Sequence, residues 1–185
     1  RDQPRSRGLG DVYKRQGCGF VGSATAFTLM QSKLFSELVL IDVDKARAEG
    51  EAMDISHGMP FAAPMKIYAG SYDDIVDADI IIITAGANQK PGETRLELVK
   101  KNVAIYKNII PEIAGRRCRG ILLIVSNPVD ILTLAALKLS GFPENRVIGS
   151  GTVLDTARLK NMLGKQLGID NPVSYTHLTL PTKLE

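Results

Sequence analysis

Four consecutive isoleucines, Ile80–Ile83, set the tightest limit on what this 185-residue chain can fold into. With Ala78-Asp79 before them and Thr84 after, they make a β-branched run with no polar alternation. Such a run fits a strand covered on both faces, as in a parallel sheet wrapped by helices. Two further runs share that character: Glu37-Leu-Val-Leu-Ile-Asp42, which ends in an acid, and Gly120-Ile-Leu-Leu-Ile-Val-Ser126. Lys66–Ala69 and Arg146–Gly149 read as shorter strands. Between them the pattern turns helical. Phe20–Leu34 is small and apolar, and Ala46–Ile55 is stopped by Gly58 and Pro60. Arg95–Ile113 carries apolar residues at helical spacing, with Pro111 expected to kink or end it. Val129–Leu139 and Val153–Leu167 complete the helices, and Ala85–Thr94 reads as a loop. Strands alternating with helices predict an α/β fold with a doubly wound parallel sheet.

Composition narrows the function classes. The chain is 44% apolar and 23% charged, which excludes a disordered or collagen-like chain. No apolar run approaches the roughly 18 residues of a membrane span, so no membrane partner is expected. The basic balance comes from one place. Residues 1–16 hold five basic groups against two acidic ones, whereas residues 17–172 carry 17 of each. A nucleic-acid partner is therefore not expected, and Arg116-Arg117-Arg119 reads as a solvated turn. Cys18 and Cys118 give no disulfide framework, which points to a reducing compartment, the cytoplasm. No metal site is expected.

Gly17-Cys18-Gly19-Phe20-Val21-Gly22 fits the pattern G-x-G-x-x-G, and Asp42 follows Gly22 by twenty residues at the end of a predicted strand. Gly17 permits a tight turn, Gly19 lets the backbone approach a pyrophosphate, and Gly22 lets the helix pack on the strand. The glycines alone also fit a plain strand-to-helix turn. Asp42 adds the specific chemistry: its carboxylate would accept the adenosine ribose hydroxyls and repel a 2′-phosphate. The fold is thus Rossmann-type and the expected cofactor is NAD rather than NADP.

Four segments carry a closer resemblance: Asp42-Val-Asp44, Thr84–Arg95, Ser126-Asn-Pro-Val-Asp130 and Val147–Arg158. In this order they resemble the bacterial L-lactate dehydrogenases of the lactate/malate dehydrogenase family, over residues 17–172. The resemblance implies an oxidoreductase that interconverts pyruvate and L-lactate in fermentation, as a cytoplasmic homotetramer. It implies that Arg158 clamps the substrate carboxylate and that Arg95, on a mobile loop, polarises the ketone. It implies that Asn127 hydrogen-bonds the substrate oxygen and that Asp155 orients the catalytic histidine. Val21, Arg47, Tyr72, Gly86, Ala87, Val125, Asn127 and Ser150 match positions that line the cofactor. Gln89 stands where malate dehydrogenases carry arginine, and a neutral residue there suits pyruvate. Lys160 falls where many relatives place an arginine for an allosteric sugar bisphosphate.

The chain also departs from that family. Asp11–Gln16 stands where the family has its first apolar strand, so that strand is expected to be replaced, with Lys14 and Arg15 costly to bury mid-sheet. The family's Gly-Glu-His-Gly-Asp motif is not found, and its spacing falls on Thr182. His177 does not match that motif, and His57 matches a structural position. The expected organisation is a non-family tail at 1–16, an NAD-binding domain at 17–150, the start of a substrate domain at 151–172, with the rest of that C-terminal domain missing, and a second non-family tail at 173–185. Both tails are expected to be extraneous sequence, and the chain as written to be inactive. The rival readings are a malate or other 2-hydroxy acid dehydrogenase, and a non-catalytic dinucleotide-binding module.

Overall fold

The computed structural model describes residues 7–11, 18–62, 64–87, 89 and 91–170, the first group by backbone alone. The chain divides into two compact units, Arg1–Gly149 and Ser150–Glu185. The first holds one six-stranded parallel sheet. Its strands are β1 (Arg7–Asp11), β2 (Glu37–Leu40), β3 (Lys66–Ala69), β4 (Ile80–Ile83), β5 (Ile121–Ile124) and β6 (Val147–Gly149), in the spatial order β3-β2-β1-β4-β5-β6. Its helices are α1 (Phe20–Ser32), α2 (Lys45–His57), α3 (Arg95–Gly115) and α4 (Val129–Ser140). Chain order reverses between β1 and β4, and a crevice at the carboxyl ends of the strands is the usual consequence.

The apolar runs are explained by two-sided burial. Val39 and Ile41 join one core with Ile81, Ile83, Leu122 and Ile124, packed under Tyr106, Ile109, Ile110 and Ile113 of α3 and Leu132 and Ala136 of α4. Leu38 and Leu40 face the other way, against Ala26 and Met30 of α1 and Ala52 and Ile55 of α2. Alternate residues of one strand thus feed opposite layers, so neither face tolerates a polar position.

Two details differ from expectation. The segment expected in place of the family's first strand is Asp11–Gln16, of which only Asp11 is described. The structure uses Arg7–Asp11, with Leu9 opposite both Val39 and Ile81. The gap between β2 and β4 presents two rows of backbone donors and acceptors. An extended five-residue segment satisfies both rows whatever its side chains are, which composition does not reveal. Lys14, Arg15 and Gly17 lie outside the described residues, as do His177, Thr182 and the segment 173–185. The second concerns Pro111, of whose two expected effects, a kink or an end to the helix, the end does not occur. Helix α3 neither ends nor breaks there but continues to Gly115. Its buried stripe of Asn102, Tyr106, Ile109, Ile110 and Ile113 extends past the proline, so core packing holds the last turn.

In the second unit, α5 spans Val153–Leu167 and ends at Gly168, whose φ of 66° suits glycine. Val153, Leu154, Leu159 and Met162 are exposed on it. No helix among the described residues is long and apolar enough to cross a membrane.

Candidate dinucleotide site

The site begins at the end of β2. Asp42 is buried, 6% exposed, and its carboxylate is fastened to the backbone on both sides. Oδ2 accepts from the N–H of Cys18 at 3.0 Å, and Oδ1 accepts from the N–H of Asp44 at 2.8 Å. Each oxygen keeps a second acceptor position. Asp44 in turn caps α2 by accepting from the N–H of Arg47. Gly19 opens α1 with no side-chain cap, so the first-turn amides are not occupied by one. This is the arrangement that receives a phosphate.

A cavity of about 380 Å³ lies beside that helix start. Gly19, Val21, Arg47, Gly86, Ala87, Gln89, Val125 and Asn127 line it, together with Phe20, Thr84, Leu98, Asn102 and Ser126. Eight of the residues expected from the sequence are thus brought to one place. Asp42 and Tyr72 line a second hollow of about 460 Å³, with Val43, Lys107, Asn108 and Glu112. Gly22, in the first turn of α1, lines a small hollow with Leu38 and Ile82 between that helix and the sheet. The residues present fit a dinucleotide: an acid for a ribose at one end, a glycine turn and helix start in the middle, and a loop-lined cavity at the other.

The loops at the far end are braced. Ser126 Oγ donates to the carbonyls of Ile83 and Ala85, joining the ends of β4 and β5. Asn102, 1% exposed, reaches both loops. Its Oδ1 accepts from the N–H of Ala87 at 2.8 Å, and its Nδ2 donates to the carbonyl of Asn127 at 2.7 Å. Neither Asn102 nor Ser126 was singled out from the sequence. A signal existed for Asn102: it interrupts the otherwise apolar stripe 102, 106, 109, 113 of α3.

Arg95 does not line this cavity, and Gln89 lines it with its side chain engaged. Arg95 is exposed on the first turn of α3, where Thr94 and Glu97 form a capping box. Gln89 donates from Nε2 to the carbonyl of Glu93 at 2.7 Å, and Glu93 pairs with Lys101. In the second unit, Asp155 and Arg158 form an exposed ion pair at 3.1 Å, one turn apart on α5. Ser150 lines a hollow with Thr156, Ala157 and Lys160. Of the arginine cluster, Arg117 and Arg119 are exposed. Arg116 instead turns back to Asp73 and Glu112, with its guanidinium over the Tyr72 ring, 5.2 Å from the centroid.

The profile of the lactate/malate dehydrogenase, NAD binding domain, matches residues 16–149. The L-lactate dehydrogenase of Acetivibrio thermocellus is 60% identical over 154 residues, 83% of this chain and 49% of its own length. A solved lactate dehydrogenase enzyme from a Medee basin deep-sea metagenome library superposes with a TM-score of 0.83 at 46% identity, over 91% of this chain and 52% of that one. The minor L-lactate dehydrogenase of Enterococcus mundtii, in its ligands-bound form, gives a TM-score of 0.83 at 42% identity, over 90% and 52%. The chain thus spans about half the length of the relatives it matches. Sequence, strand order and site geometry agree, and the chain belongs to the lactate/malate dehydrogenase family, of which it carries the NAD-binding domain.

Proposed function

We propose that this chain is the cofactor-binding half of an NAD-dependent L-lactate dehydrogenase, acting between pyruvate and L-lactate. The observation that carries the reading is the single cavity joining the glycine turn, the Gly86–Gln89 loop and Val125–Asn127. When bound, NADH supplies the hydride. Asp42 holds the adenosine ribose and disfavours a 2′-phosphate. The start of α1 faces the pyrophosphate, and Asn127 hydrogen-bonds the substrate oxygen. Arg95 is placed at the end of a loop containing Pro91 and Gly92, so loop movement can carry it onto a ketone and exclude water. Arg158 supplies a planar fork for the substrate carboxylate. It lies one turn from Asp155 on α5, with which it pairs at 3.1 Å, and Asp155 is assigned to orient the family's histidine. No described residue is assigned the proton transfer, because His57 is exposed at the end of α2.

Gln89 supports pyruvate over oxaloacetate. It is neutral, and a second substrate carboxylate enclosed beside it would lack a cationic partner. Residues 17–150 are proposed as the cofactor domain and 151–172 as the start of the substrate domain. The cytoplasmic location and the tetramer of the intact enzyme belong to the same proposal.

The test has two parts. The 185-residue chain is expected to bind NADH more tightly than NADPH and to leave pyruvate unreduced by itself. Completed with the C-terminal half of the Acetivibrio thermocellus relative, it is expected to reduce pyruvate in preference to oxaloacetate. Gln89→Arg in that protein should shift the preference toward oxaloacetate. Failure of the 185-residue chain to bind NADH, or a preference for oxaloacetate with Gln89 intact, would overturn the reading.

A further inference from the structure

We propose that Asn102 is a positioning residue for the dinucleotide site, one carboxamide that fixes the Gly86–Ala87 loop to the Asn127 loop in the shape that receives the nicotinamide end. The inference rests on the reading of this site as a nicotinamide dinucleotide site.

Two loop groups need partners. The N–H of Ala87 and the carbonyl of Asn127 lie beyond the ends of β4 and β5, where the sheet ladder no longer serves them. Asn102 meets both, with its acceptor at 2.8 Å from one and its donor at 2.7 Å from the other. Few side chains can do this. The bridge needs a donor and an acceptor on one short planar head, and the carboxamide of asparagine provides them. An aspartate retains the acceptor but turns an anionic oxygen toward the Asn127 carbonyl. A leucine retains the volume and loses both bonds.

Position gives the bridge its consequence. Asn102 lines the cavity alongside Gly86, Ala87 and Asn127, yet it is 1% exposed and presents little surface to a ligand. It acts through the loops. Gly86 neighbours it: a Cβ added there would reach ordinary van der Waals contact, 3.5 Å from Asn102 Nδ2 and 3.6 Å from Ser126 Cβ. Ser126, bonded to the Ala85 carbonyl, ties the same two loops one step closer to the sheet. Asn102 extends that tie outward to the residues that face the ligand. The hollow lined by Asp42 and Tyr72 does not include Asn102, so the adenosine end of the site is held independently of it.

That separation supplies the test. NADH and ADP are titrated into the 185-residue chain, into Asn102→Leu and into Asn102→Asp, with bound NADH followed by its fluorescence and ADP by calorimetry. Thermal melts without ligand accompany each titration. Both variants are expected to bind NADH about tenfold to a hundredfold more weakly, the scale of a lost buried hydrogen-bond pair. ADP affinity is expected to stay within about twofold, because Asp42, the glycine turn and Tyr72 are untouched. In the folded, ligand-free chain, the amide resonances of Ala87 and Asn127 are expected to move in both variants. Equal loss of NADH and ADP, no loss of either, or failure of both variants to fold would each make Asn102 a structural residue and overturn the inference. If the unsubstituted chain binds ADP but not NADH, or neither, the dinucleotide reading itself falls.

Discussion

The N–H of Cys18 donates to Oδ2 of Asp42 at 3.0 Å, across 24 residues of chain. The acid proposed to select the cofactor therefore also anchors the turn that would hold its phosphates. Asp42→Ala removes two acceptors at once, leaving the amides of Cys18 and Asp44 without this carboxylate. Two effects should appear together. Stability is expected to fall by about 1–3 kcal/mol, the range for buried donors left unsatisfied. The ratio of NADPH to NADH affinity is expected to rise at least about tenfold, as the repulsion of a 2′-phosphate disappears. Urea melts and paired titrations read both. Lost discrimination with unchanged stability would show that the Cys18 bond contributes nothing.

The cap of α3 links pH to the helix that carries Arg95. The N–H of Thr94 donates to Oε2 of Glu97 at 2.8 Å, its hydroxyl donates to the same oxygen, and the N–H of Glu97 donates to the Thr94 hydroxyl. The backbone bond from Thr94, more than any other contact, holds the Glu97 carboxyl below its ordinary range. A depressed folded-state value means that the cap is fully present above the ordinary carboxylate pKa of 4.5 and is lost as pH falls through the lower, folded-state value. The amide resonance of Thr94 is expected to titrate with a midpoint below 4.5, and Glu97→Gln to abolish that titration. Thr94→Ala should cost about 1 kcal/mol at neutral pH. A midpoint at or above 4.5 would contradict the cap.

What the sequence revealed and what it hid follow from where each signal resides. Ile80–Ile83 and the run ending at Asp42 announce buried parallel strands because both sheet faces must be apolar, and the alternation with helices predicts a doubly wound parallel sheet, which the structure has. The glycine turn and Asp42 could be proposed from sequence because a ribose and a phosphate demand particular residue types at a fixed spacing. The strand Arg7–Asp11 was not legible, because its place in the sheet depends on backbone groups alone. The helix continues past Pro111 because propensity is local, whereas Ile109, Ile110 and Ile113 hold the turn through the core. Asn102 stayed hidden for a related reason: its two partners are backbone atoms of loops 15 and 25 residues away.

Arg116 shows that an arginine in a surface cluster need not be a bystander. Its Nε donates to Asp73 at 2.9 Å, its Nη1 donates to Glu112 at 2.8 Å, and its guanidinium lies over Tyr72. Tyr72 and Glu112 both line the hollow beside Asp42, so one side chain joins the end of α3 to the turn that walls this hollow, proposed above for the adenosine. Asp73 is 83% exposed, so the ion pair itself contributes little to stability. Arg116→Ala is expected to change stability by less than about 1 kcal/mol while weakening ADP binding a few-fold. The converse split, a large stability loss with unchanged ADP affinity, would remove Arg116 from any account of the site.

Gly120 marks where the sheet admits no side chain. A Cβ there would press on the carbonyl oxygens of Ala78 and Asp79, the latter at 2.8 Å, and both are main-chain atoms at the entry to β4. Those atoms cannot yield without cost. The Asp79 carbonyl accepts from the N–H of Ile121 at 2.8 Å, the bond that starts the β4–β5 ladder. The Gly120 carbonyl also accepts from Arg146 at 2.7 Å, so movement of this residue would strain a second bond toward β6. Gly120→Ala is expected to destabilise the chain by about 1–3 kcal/mol, the range for overpacking a close contact. Gly50→Ala serves as the control. Its added Cβ meets nothing within 4 Å, and it lies inside helix α2, where alanine is favoured over glycine by roughly 0.5–1 kcal/mol. Urea melts of the two variants should therefore move in opposite directions. A Gly120→Ala chain as stable as its parent would mean that β4 and β5 can separate at this end, and that the crevice at their other ends is less firmly held than the strand register implies.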